Sequence, residues 1–146
     1  MGGEPRPGQV LAGVEIFRGL APAELARLER LGRRRRYAPG ETIVKQGDSG
    51  IALFVVLAGR VQVTRAGADG QEQVLRTVGP GGAFGEMALL SNHPRSATCS
   101  ATEDEAVECL ALHRLDFIDE LRRYPEIAIR LLETLSRRLE DAERRG

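Results

Sequence analysis

The hydrophobic rhythm of this chain changes three times. Met1–Gly13 is rich in Gly and Pro and poor in apolar residues, which predicts a mobile tail. Leu25, Leu28 and Leu31 then recur at helical spacing behind Pro22. A proline suits the first helical turn, where its missing N–H has no intrahelical partner to lose. The pattern therefore predicts an amphipathic helix over residues 21–32. From Arg36 to His113 the period falls toward two. Short β-rich runs separated by glycines place strands at Thr42–Val44, Ile51–Leu57, Arg60–Thr64, Gln73–Val78, Ala97–Ala101 and Ala106–Leu112. Val61 and Val63 alternate with polar neighbours, as one-sided burial requires. Ala66–Gly70 supplies the Gly and Asp of a hairpin connection.

After His113 the helical period returns. Residues 114–124 predict one helix, which Pro125 breaks while opening another over residues 125–145. That last helix carries two overlapping stripes. Ile127, Leu131 and Leu135 form one, and Ala128, Leu132, Leu135, Leu139 and Ala142 form a second with 4-3-4-3 spacing. Packing on its own domain needs only one stripe, so the second predicts a further contact. The expected fold is mainly β with flanking helices: an antiparallel β jelly roll (a double-stranded β-helix) with one N-terminal helix and two C-terminal helices. It forms a single domain over residues 14–146, with the β-roll at 36–113.

Length and composition narrow the function. A chain of 146 residues suits one domain with a moderate core. Aromatics are 4% and tryptophan is absent, so the core must come from Leu, Val, Ile and Ala. Acidic and basic side chains balance at 21 each, which removes the broad basic field of a nucleic-acid-binding domain. Arg33–Arg36, without interleaved aromatics, reads as a solvated face entering a strand. No apolar run has membrane-spanning length and no signal segment opens the chain, so a cytoplasmic protein is expected.

Cys99 and Cys109 form no CxxC pair, and the histidines are only His93 and His113; no zinc site is expected. If the strands around Glu103–Glu105 pair as a hairpin, the two cysteines lie opposite each other as a candidate cross-strand disulfide. The favoured expectation is two small buried thiols in a reducing compartment. A metalloenzyme on a jelly roll needs several convergent His and carboxylate ligands, which are missing. No catalytic residue, metal or cofactor is therefore expected, and the chain reads as a non-enzyme.

The chemistry concentrates in Phe84–Thr98, FGEMALLSNHPRSAT. Gly85 lets the backbone turn sharply and a ligand approach its N–H. Glu86 is an acceptor suited to a sugar hydroxyl. The following MALLS reads as one short helical turn whose free N–H groups favour an anion. Pro94 stiffens the return, Arg95 offers a planar charged fork that fits phosphate oxygens, and Ser96 adds a hydroxyl. An anion site beside a hydroxyl-accepting carboxylate suits a sugar phosphate better than bare phosphate.

This stretch resembles the phosphate-binding cassette of the cyclic nucleotide-binding domain family, which includes bacterial catabolite activators, regulatory subunits of cyclic AMP-dependent kinase and nucleotide-gated channels. FGE, ALL and PRSAT carry the resemblance, with PGETIVKQGDSG (Pro39–Gly50), a strand ending at Gly59 and PGGAFGE upstream. The resemblance implies that Glu86 binds the ribose 2′-hydroxyl. Arg95 would bind the cyclic phosphate, helped by backbone N–H groups at Gly85 and Ala88. The implied ligand-binding set is Phe84, Gly85, Glu86, Met87, Ala88, Arg95, Ser96 and Ala97. Serine at position 96 occurs with cyclic AMP in bacterial members, so cyclic AMP is expected over cyclic GMP. The last helix is implied to swing over the ligand as a lid, with Leu131, Leu132 and Leu135 capping the base, or to pair with its counterpart in a homodimer.

Two departures accompany the resemblance. Where catabolite activators carry a Thr-Ser pair that contacts adenine, this chain has Ala142 and Glu143. No helix-turn-helix follows the last helix, so the expectation is a stand-alone sensor, or a regulatory domain linked to or separate from an effector, with no direct nucleic-acid binding. The alternative is a degenerate, nucleotide-free interaction module, or a sensor of another effector on the same fold.

Overall fold

The computed structural model describes residues 8–145. A 3-10 turn (Glu15–Phe17) and helix α1 (Pro22–Leu31) precede strands β1 (Arg33–Tyr37), β2 (Thr42–Val44), β3 (Ala52–Ala58), β4 (Val61–Ala66), β5 (Glu72–Val78) and β6 (Ala83–Phe84). The one-turn helix α2 (Met87–Leu90), strands β7 (Thr98–Ala101) and β8 (Val107–His113), and helices α3 (Arg114–Arg123) and α4 (Pro125–Arg145) follow. All pairing is antiparallel, in two four-stranded sheets of order β1–β8–β3–β6 and β2–β7–β4–β5. This is a mainly β roll with flanking helices.

The two sheets differ in what covers them. In the first, Leu53, Val55, Leu110 and Leu112 pack toward the helices, against Phe17, Leu28, Phe117, Ile127 and Leu131. Their neighbours Phe54, Val56, Cys109 and Ala111 pack into the roll, against Val61, Val63, Val78 and Ala101 of the second sheet. Burial on both faces is why β3 and β8 read as continuous apolar runs. The second sheet is covered on one face only, so Val61 and Val63 alternate with half-buried Gln62 and Thr64.

Two expectations are corrected, and for the cysteines the favoured reading of buried thiols holds over the disulfide. The arginine run is not a lead-in to a strand but is β1 itself, an edge strand paired to β8 from Arg33↔Ala111 to Tyr37↔Val107. Its arginines are exposed, and Arg34 pairs with Glu108 at 3.1 Å. Charge on an edge strand discourages pairing with another chain. Of the expected tail, residues 1–7 lie outside the described residues, but the segment after them is built into the fold. Leu11 is buried in the helix-side core, and its N–H donates to Glu29 Oε2 at 3.2 Å. Finally, β7 and β8 belong to different sheets, so no hairpin aligns the cysteines. Cys99 and Cys109 are free, buried thiols inside the roll.

The helices bracket the roll. Pro22 opens α1, and the Ala21 N–H donates back to Glu24 Oε1 at 2.8 Å, satisfying one orphan donor of the helix start. Tyr124, with φ −129° and ψ 75°, separates α3 from α4, and Pro125 cannot continue the preceding helix. α1 clamps this break. The Arg27 guanidinium lies over the Tyr124 ring at 3.8 Å, and Arg130 of α4 pairs with Glu24 at 3.1 Å.

Candidate functional site

The site begins where β6 runs out. Phe84 is buried and stacks on Phe54 of β3, ring centroids 5.1 Å apart, which fixes the end of the strand. Gly85 then adopts φ +80°, a conformation glycine reaches without penalty. A Cβ here would also run into the Arg95 guanidinium and lie 3.0 Å from the Ala52 carbonyl. The chain next closes into α2. The Ala88 N–H donates to Gly85 O at 3.0 Å and the Leu89 N–H to Glu86 O at 3.1 Å. Fully buried Leu89 anchors this turn in the core beneath, while Met87 faces outward. The Ala88 N–H, expected to face a phosphate, thus has an acceptor in its own turn.

The return strand aims Arg95. Its N–H donates to Asp48 O at 2.7 Å and its carbonyl accepts from the Gly47 N–H at 2.8 Å. These two bonds hold the arginine backbone against the turn before β3. The side chain reaches inward, donating from Nη2 to Ala52 O at 2.7 Å, with the guanidinium 5.9 Å above the Phe54 ring. Nε is buried with no hydrogen-bond partner among the described residues. No carboxylate pairs with this cation among them either.

Burial lowers the Arg95 pKa from its ordinary value, opposed in part by the nearby Cys99 thiol. An arginine stays charged in proteins. The shift therefore expresses the cost of a partly desolvated cation with no carboxylate beside it, which an anion would offset. Gly50 leaves room for one: a Cβ there would stand 3.3 Å from Arg95 Nε and 3.0 Å from the Ala88 methyl.

Glu86 sits at the rim. Its Oε1 is 3.5 Å from Arg138 Nη1 of α4, and Arg138 Nε is 3.8 Å from Glu15 Oε1 in the 3-10 turn. One arginine thus ties α4 to both the cassette and the N-terminal segment. Sequence reasoning missed Arg138, although a signal existed. Ile127, Leu131 and Thr134 are the buried positions of α4, and Arg138 continues their 4-3-4 spacing on the same face.

A cavity of about 200 Å³ lies between the two limbs of the cassette. Gly85, Glu86, Met87, Ala88, Arg95 and Ser96 line it, joined by Gly50, His93 and Pro94. The other two residues of the expected set lie behind it: Phe84 in the interior core, and Ala97 packed against that core. The three leucines expected over the base are also elsewhere. Leu131 is in the helix-side core, Leu135 packs against that core, and Leu132 is 65% exposed. A helix stripe reports burial without reporting what it is buried against. α4 meets the site through Arg138 instead.

The family model described as the cyclic nucleotide-binding domain matches residues 34–124. This chain belongs to the cyclic nucleotide-binding domain family. Over 133 residues this cyclic nucleotide-binding domain is 43% identical to a cyclic AMP receptor protein of Thermus thermophilus, covering 91% of this chain and 61% of that protein. An acetyltransferase of Mycolicibacterium smegmatis is 41% identical over 93 residues, 64% of this chain and 28% of that enzyme. Among solved structures, the N-terminal domain of a transcriptional regulator from Streptomyces coelicolor superposes with a TM-score of 0.84 at 35% identity, covering 91% of this chain and 94% of that one. The domain spans about three-fifths of the length of the Thermus relative. Among its described residues no helix is long and apolar enough to cross a membrane.

Proposed function

We infer that this domain is a non-enzymatic, cytoplasmic sensor of a 3′,5′-cyclic nucleotide. The observation that carries the reading is the half-buried Arg95 guanidinium, its Nε enclosed and unpartnered and no carboxylate paired with it among the described residues, lining the same cavity as Glu86. The cyclic phosphate takes the vacant N–H groups of Arg95 and offsets its desolvation. Glu86 accepts the ribose 2′-hydroxyl, which a 3′,5′-cyclic nucleotide leaves free and a 2′,3′-cyclic isomer does not. Because Glu86 also faces Arg138, occupancy alters the hold on α4, and that helix relays the signal. The receiver is an effector domain, linked or separate, or a second copy meeting the exposed Leu132 and Leu139 of α4.

Cyclic AMP over cyclic GMP is supported by the Thermus relative, a cyclic AMP receptor protein, and by serine at position 96. Calorimetric titration with both nucleotides tests the reading, with Arg95→Ala as the control. Two charge-assisted bonds of roughly 1.5–3 kcal/mol each make the expected loss in the variant about 100-fold or more. Binding undiminished by Arg95→Ala would overturn the assignment.

The second reading, a nucleotide-free interaction module, draws on the cavity size. About 200 Å³ is below the roughly 300–1,000 Å³ usual for small-molecule sites, so seating a nucleotide requires the rim to widen. The absence of heat and of thermal shift with either nucleotide, in protein freed of endogenous ligand, would select the module.

A further inference from the structure

A nucleotide held at Arg95 and Glu86 still has a base to place, and the residues already described do not read one. The inner end of the cavity is closed by Arg95 itself, its hydrogen bond to Ala52 O and the Phe54 ring, so the base lies toward the mouth. On the α4 side, the residue one turn beyond Arg138 on the same face is Ala142, which has no polar atom. Met87 at the rim is 57% exposed and offers no donor.

β4 approaches the cavity through Ser96. Val61 and Val63 of β4 face the interior of the roll, and Arg65 follows them on that face. Its Nε donates to the carbonyl oxygen of Ser96, a cavity-lining residue, at 3.2 Å. Among the described residues Arg65 pairs with no carboxylate. The tether uses one of five N–H groups and leaves both Nη groups without a partner among the described residues.

We propose that Arg65 is a base-contacting, specificity-determining residue that selects purines by donating to N7 of the bound nucleotide. The proposal rests on the reading of Arg95 and Glu86 as the phosphate and ribose sites. A guanidinium is the side chain suited to this edge, donating to N7 and, in guanine, to O6 as well. Adenine offers N7 beside an amino group, so the contact is single for cyclic AMP and double for cyclic GMP. Pyrimidines have no N7. Arg65 therefore separates purine from pyrimidine cyclic nucleotides and narrows the preference for adenine. The Ser96 bond fixes the plane of the fork before ligand arrives, which limits the entropy lost on contact.

The test is a four-way titration of the parent and Arg65→Ala with cyclic AMP and 7-deaza-cyclic AMP, in which N7 is replaced by C–H. Arg95→Ala serves as the site control, and melting temperatures establish that each variant is folded. Arg65→Ala is expected to weaken cyclic AMP by about 10-fold, the scale of one directed base contact, and to leave 7-deaza-cyclic AMP within about two-fold of the parent. Arg65→Lys, which keeps a donor without the fork, should fall between. Equal weakening of both ligands would make Arg65 a phosphate or stacking contact and overturn the proposal. No weakening of either, in protein whose binding still collapses with Arg95→Ala, would overturn it and leave the sensor reading intact. A parent that binds neither nucleotide would overturn both.

Discussion

The Glu86 carboxylate on the cassette and the Arg138 guanidinium on α4 stand 3.5 Å apart, so the group assigned to the ligand's ribose also holds the last helix. The pair is partly exposed, at 27% and 40% of the two side chains, and such pairs contribute only about 0–1 kcal/mol. Arg138→Ala should therefore leave the melting temperature within a few degrees of the parent. Its expected effect is local: faster amide exchange from Thr134 onward, with the β-roll unchanged. Uniform exchange in parent and variant would show that Arg138 does not restrain α4.

Gly85 permits no side chain on two independent grounds. Its φ of +80° strains any L residue, and a Cβ would occupy the place of the Arg95 guanidinium. Gly85→Ala is expected to cost about 1–3 kcal/mol of stability and to abolish nucleotide binding as fully as Arg95→Ala. Thermal denaturation and titration of the same preparation check both parts. A destabilised variant that binds normally would mean that Arg95 need not lie against Gly85.

Arg95 should show the opposite relation between stability and function. Arg95 is a half-buried cation that no carboxylate compensates among the described residues, so an apolar side chain of similar length relieves a desolvation cost. Arg95→Met should thus melt at or above the temperature of the ligand-free parent while losing about 100-fold or more in affinity. A clear drop in melting temperature would assign Arg95 a structural role through its bond to Ala52.

The two thiols predict an alkaline weakness. Burial pushes Cys99 up to about 11, an effect that Arg95 and Arg76 reduce. Cys109 is pushed up to about 12, first by burial and then by Cys99 and Glu108. In the unfolded chain both would ionise near their ordinary value of 9.0. A raised folded value means the neutral thiol is favoured in the fold, so the contribution is intact below about pH 9 and lost as pH rises through 11 and 12. Melting curves between pH 8 and 10.5 should fall more steeply for the parent than for a Cys99→Ala, Cys109→Ala double variant. Parallel curves would refute the assignment.

How far the residues foretold this structure depended on how many jobs each position carried. β4 has one face on the core and one toward solvent, so the alternation of Val61 and Val63 with polar neighbours announced it directly. β3 and β8 lost that alternation because both their faces are covered, yet the length of their apolar runs still marked them, with Gly50 and Gly59 bounding β3. β1 was hidden because Arg33–Arg36 bury no apolar side chain, so no hydrophobic period marks the strand. β6 is two residues long, too short for any period. At the site, Gly85, Glu86 and Arg95 were legible because their chemistry is local to one loop. Arg138 and Arg65 were not, since each reaches the cassette from an element whose approach is set only by the packed fold.

The break at Tyr124–Pro125 gives α4 the geometry of a lever. At 1.5 Å per residue, Ile127 lies roughly 3 Å from the pivot and Arg138 roughly 20 Å. A rotation of about 10° would move Ile127 by roughly 0.5 Å and Arg138 by roughly 3.5 Å. Displacement of the first size leaves a close-packed core intact, whereas the second parts an ion pair. In the proposed sensor the helix would thus report an event at the rim by its far end alone, while its root stays seated against Phe117 and Leu28.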